Sequence, residues 1–118
     1  MLTLVTSDGK TWYKPGDTVE GRVEWFLDGP ADAVEIRLFW HTSGKGTRDV
    51  GIVESLRFDA PEGSGHGVFR FRVPDGPYSF SGTLITLAWA LEAVALPSGE
   101  TGRLDLGVGP RPVEVMLR

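Results

Sequence analysis

A chain of 118 residues has room for one domain, and a domain of that size hides about two-thirds of the surface its unfolded form exposes. Its formal charge of -4, from 12 basic and 16 acidic residues spread along the sequence, offers no basic field to a phosphate backbone, so nucleic acid is not expected as a partner. The lack of cysteine excludes disulfides, a thiolate nucleophile and Cys-ligated zinc and suits the cytoplasm, and 16 Gly and 8 Pro describe a turn-rich globular protein.

The first ten residues, "MLTLVTSDGK", carry no basic region followed by a long apolar run, so no secretory signal is expected. The apolar Leu2 to Val5 is followed by turn residues, and "KPGD" at 14–17 reverses the chain. In "TVEGRVEWF", Val19, Gly21, Val23 and Trp25 share one face and Glu20, Arg22 and Glu24 the other, the period of a half-buried strand. Gly21 on the inward face leaves space for a bulky neighbour.

A second strand, "VEIRLFW", turns Val34, Ile36, Leu38 and Trp40 inward. After the polar loop "HTSGKGTRD" comes a weaker strand, "VGIVESLRF", with Val50, Ile52, Leu56 and Phe58 expected inward and a break near Glu54 and Ser55. "APEGSGHG" reads as a loop, and "VFRFRVP" as a strand with Phe69, Phe71 and Val73 buried and Arg70 and Arg72 in solvent. "TLITLAWALEAVAL", Thr83 to Leu96, is rich in helix formers, and its apolar positions fit a helix face and a strand face equally well. Its longest apolar stretch, Leu84 to Leu91, is far below the roughly 20 residues that span a bilayer, so no membrane span is expected. "RLDLGV" and "PVEVMLR" complete the chain as two strands, with Leu104, Leu106, Val113, Val115 and Leu117 inward. Seven to eight short strands without repeat or linker predict an all-β antiparallel sandwich of immunoglobulin-like type, one domain over 1–118.

Two motifs add a resemblance. The pattern "Y-K-P-G-D-x-V-x-G-x-V" from Tyr13 resembles the second strand of arrestin-like N-terminal domains. "GHGVFRFRVPDGPYSFSGTLITLAWALEA", Gly65 to Ala93, is similar to the run of histidine, alternating phenylalanines, Pro-x-Ser-Phe-x-Gly turn and long strand found in arrestins and retromer subunits. The resemblance covers about a third of the chain directly. It implies a single arrestin-like domain of prokaryotic type, a strand at Thr83 to Leu96 with Trp89 inward, and adaptor or scaffold work through protein contacts without cofactor. Relatives of that clan carry two such domains, whereas this chain has length for one, so a two-domain receptor clamp is not implied.

No constellation points to catalysis. "SGKGT", Ser43 to Thr47, has Phe39 and Gly46 where a phosphate loop needs its first glycine and its Ser or Thr. His41 and His66 have no third ligand at metal spacing, and His66 matches the family's histidine and reads as structural. Ser79 and Ser81 lack the nucleophile-elbow glycines, and no pair of carboxylates is set to share a substrate. The expectation is therefore a non-enzyme that binds a protein partner through loops or an open sheet edge, including pairing with itself as a homodimer. His41, Lys45 and Arg48 are the candidate contact residues for an acidic partner. The alternative is a sandwich that binds a small ligand or carbohydrate, with Trp12 and Tyr13 as its stacking platform.

Overall fold

The computed structural model describes residues 1–7, 9–29, 31–44, 48–59, 61, 63–81 and 85–110. Among them the alternation of apolar and polar side chains becomes nine strands and no helix. They are β1 (Leu2–Thr6), β2 (Trp12–Tyr13), β3 (Thr18–Phe26), β4 (Ala33–Gly44), β5 (Val50–Asp59), β6 (Ser64–Arg72), β7 (Phe80–Ser81), β8 (Ile85–Leu96) and β9 (Thr101–Val108). The count exceeds the expected seven to eight because β2 and β7 are two-residue strands that period alone does not reveal. The small sheet has the order β1-β3-β6 and the large one β2-β9-β8-β4-β5, with β7 also paired to β8. The described pairings are antiparallel apart from β2 with β9. One of the two sheets curls into a half-barrel, so the layers depart from a pair of flat facing sheets.

The core lies between the sheets. Leu4, Val19, Val23, Trp25, Phe69 and Phe71 enter it from the small sheet, and Val34, Ile36, Leu38, Trp89, Leu91 and Leu106 from the large one. Gly21 has the expected role: a methyl there would meet the Val5 carbonyl oxygen and the Phe69 ring. The helix-forming composition of Ile85–Leu96 gives way because β8 is the inner strand of the large sheet. It pairs with β4 along twelve residues and with β9 on its other side, so pairing on both edges and burial of its inner face override propensity. Thr83 and Leu84, and the expected final strand with Val113, Val115 and Leu117, lie outside the described residues.

The expected phase of β5 is overturned. Val50 and Ile52 are not inward but exposed, at 64% and 59%. Leu38 pairs with Glu54 and the next residue, Phe39, with Ile52, so Val53 is an extra residue in β5. Such a bulge shifts the alternation by one, and Val53 rather than Ile52 packs against the core. Trp40 is half-buried, its ring lying over Gly51. His66 belongs to β6, paired with Glu24, rather than to the loop expected there.

The "KPGD" turn is of type II: the Asp17 N–H donates to the Lys14 carbonyl at 2.9 Å, and Gly16 takes φ of 88° at the position that requires a positive value. Asp17 closes the turn through Oδ2, which accepts from the Lys14 N–H at 2.8 Å. That hydrogen bond, against a smaller opposing effect of burial, holds its carboxyl below the ordinary carboxylate range. A depressed folded pKa stabilises above the unfolded value and is lost as pH falls through the folded one. Asp17→Asn is expected to lower the melting temperature at pH 7 and to flatten its decline in acid, as read by thermal melts from pH 7 to below about pH 4.

On the other side of the sandwich the Phe58 ring of β5 crosses to Gly67 of β6 and meets Trp25, ring centroids 5.8 Å apart. Gly67→Ala would push a methyl into the Phe58 ring and should cost about 1–3 kcal/mol in urea unfolding, the range of overpacked cores. Gly29→Ala, where nothing lies within 4 Å, should stay within about 0.5 kcal/mol of wild type.

Candidate functional site

The outer face of the large sheet carries a cleft that collects two of the expected contact residues. It is lined by Phe39, His41, Thr42, Ser43, Arg48, Val50, Glu92 and Arg103 and encloses about 390 Å³. Period two places Phe39 and His41 together on the outer face of β4, and Ala88 and Ala90 on the same face of β8. Arg103 on β9 reaches across β8 to β4, and the small alanines leave it room to do so.

At its far end Arg103 Nη2 lies 2.7 Å from His41 Nε2, and the guanidinium carbon stands 5.6 Å from the centre of the Phe39 ring. A guanidinium can only donate, so His41 Nε2 is the acceptor and the imidazole proton sits on Nδ1. Arg103 Nε donates to Asp105 Oδ1 at 3.0 Å. The ring and both bonded groups fix the guanidinium plane, which is the preorganisation that arginine brings to recognition of anions. Arg48 lies in the same cleft without an ion-pair partner among the described residues. Lys45, the third expected contact, falls outside them.

Trp12 and Tyr13 part company. Their side chains leave β2 on opposite sides, so Trp12 is half-buried against Gly107 and Gly109 while Tyr13 is enclosed in the core at 2% exposure. The Tyr13 hydroxyl donates to the Lys10 carbonyl at 2.8 Å. Adjacent residues in a strand cannot offer two rings to one ligand. Trp12 instead borders a second cleft of about 340 Å³ together with Phe80, Thr86 and Asp105. Ser79 is a fastener: its hydroxyl accepts from the Val108 N–H at 2.9 Å and its own N–H donates to the Val108 carbonyl at 2.7 Å.

Sequence reasoning missed Arg103, Phe39 and Glu92, which look like ordinary outward strand positions. The available signal was the pair Ala88 and Ala90, small residues on an outward face that permit a long side chain to cross from the next strand.

An all-β chain of two sheets over one core, with no family model and no curated protein matching it, is placed by its fold. The chain is similar to the crystal structure of Spo0M, a sporulation control protein from Bacillus subtilis, with a TM-score of 0.62 and 16% identity. That match takes in 91% of this chain and 48% of Spo0M, so the chain spans about half the length of that protein. It is also similar to a superoxide reductase, neelaredoxin, from Ignicoccus hospitalis, with a TM-score of 0.50 and 10% identity over 92% of this chain and 80% of that one. At these identities the likeness is one of fold.

Because Trp12 covers two glycines of the β9 end, Trp12→Ala should lower stability by about 2 kcal/mol, less than for a fully buried tryptophan, in chemical denaturation. A variant as stable as wild type would show that the ring is held there by nothing but solvent.

Proposed function

We propose that the chain is a non-catalytic protein-interaction or scaffold module of arrestin-like fold, acting in the cytoplasm and binding its partner by strand addition along β5. The observation that carries this reading is the edge itself. β5 is a ten-residue strand that pairs with β4 on one side and with no described strand on the other. Unpaired backbone groups along such an edge accept another chain, and proteins that avoid this place charges on it. From Val50 to Val53 the edge has no charge, and the bulge turns Val50 and Ile52 into solvent beside the His41–Arg103 cleft. The edge of β6 carries Arg70 and Arg72 at one end, and its uncharged part exposes Val68 as a single large apolar side chain where β5 exposes two.

The fold likeness to Spo0M and the two sequence motifs support an arrestin-like assignment, and the role in binding follows that assignment. The burial of Tyr13 is why this reading is preferred to carbohydrate binding on a Trp12–Tyr13 platform.

A double variant, Val50→Lys with Ile52→Lys, tests the edge. Affinity for a co-purified partner, or self-association followed by analytical ultracentrifugation, should fall at least about tenfold, since edge lysines oppose strand pairing. The melting temperature should hardly change, because both side chains already lie in solvent. A wild-type chain that captures no partner and sediments as a monomer at high concentration would refute the role.

A further inference from the structure

We infer that the cleft between His41, Arg48 and Arg103 receives one carboxylate side chain from an extended peptide laid along β5. This deepens the proposed interaction role and rests on it. The Arg103 guanidinium has five N–H donors, and the bonds to His41 and Asp105 use two of them. The remaining donors are held in a fixed plane over Phe39, so a carboxylate can be met without first ordering a long side chain. Arg48 stands in the same cleft with its charge uncommitted among the described residues.

The charges of the cleft set the selectivity. Two arginines face one carboxylate, Glu92, while His41 accepts at Nε2 and carries no charge in this arrangement. The balance is positive within a chain of net charge -4. Asp105, bonded to Arg103 just beyond the cleft, cancels that excess, so attraction for a carboxylate rests on the placement of the two guanidiniums inside the cleft. A first carboxylate therefore finds two cations, and a second on the same peptide meets Glu92 or Asp105. A run of acidic residues should gain nothing over one, and a nucleic-acid backbone would be repelled by the same two groups.

Position supplies the other half of the argument. Residues directly opposite on paired strands have Cβ atoms about 5 Å apart. A strand added to β5 thus sets one side chain against Val50, on the outer face beside Arg48, and the next side chain on that face against Ile52. The fitting sequence is an acidic residue between apolar ones that cover Val50, Ile52 and Phe39.

The test is fluorescence anisotropy with three fluorescein-labelled heptapeptides: Thr-Val-Thr-Glu-Thr-Val-Thr, whose Glu and two Val share one strand face, its counterpart with central Gln, and one in which both Val are also Glu. The single-Glu peptide should bind about tenfold tighter than the Gln peptide, the scale of one charge-assisted contact in a partly desolvated site. Arg48→Gln and Arg103→Gln should each erase most of that preference, and the triple-Glu peptide should not bind tighter than the single-Glu one. Arg48 makes no described ion pair, so its variant should melt like wild type and keeps the test clear of folding defects. Equal binding of the Glu and Gln peptides, no binding of either, or a preference that survives both substitutions would overturn the inference. If a partner is recovered whose binding is lost in the Val50→Lys and Ile52→Lys variant yet untouched by both arginine variants, the edge role stands and the carboxylate site falls.

Discussion

The whole arrangement depends on the burial of one indole. Trp89 is completely enclosed at the middle of β8, where its cross-strand neighbours are Trp40 on β4 and Leu106 on β9. A buried tryptophan is tolerated only if its single polar atom is satisfied, and here the Nε1 N–H donates to the Pro77 carbonyl at 2.9 Å. That bond fastens the segment between β6 and β7 to the centre of the large sheet. Ser79, doubly bonded to Val108, fastens the same segment to the end of β9. A passage of Pro, Asp and Gly that would otherwise be ordinary loop is thereby made part of the scaffold. It in turn positions β7 against β8, beside the second cleft.

Around that centre, register is fixed by rings laid on glycines. Trp40 covers Gly51, Phe58 covers Gly67 and Trp12 covers Gly107, each pair joining one strand to another. A one-residue slip of either strand would drive a side chain into a ring and turn apolar residues to solvent, so the pairs reinforce what the hydrophobic pattern specifies. The same contacts explain why glycine recurs inside strands where it would otherwise weaken them. On the outer face the smaller alanines of β8 allow Arg103 to cross and dock on His41, so the candidate cleft arises from the same economy of side-chain volume.

Much of this could be read in the sequence. Period two gave the inward positions of β3, β4 and β6, and Pro15 with Gly16 marked a turn whose hydrogen bonds are now visible. The strand at Ile85–Leu96 is beyond periodicity, because alanines and Val94 hold much of its outward face and leave little polar side to alternate with; only the resemblance decides it. The phase of β5 was illegible for a different reason. An inserted residue leaves each local pattern intact and changes only which pattern faces the core. The cleft was half legible: the polar loop drew attention to His41 and Arg48, but Arg103 arrives from 62 residues beyond His41, through a sheet order that sequence does not display. Tyr13 misled because it adjoins Trp12 in sequence, while in a strand adjacency means opposite faces.

The bulge at Val53 makes the character of this surface a matter of counting rather than composition. Were the strand regular, with Val53 opposite Phe39 and Ile52 opposite Trp40, the same side chains would turn Val50 and Ile52 toward the core and leave a plainer border. Stickiness along this margin is therefore set by one irregular pairing rather than by which residues the strand carries.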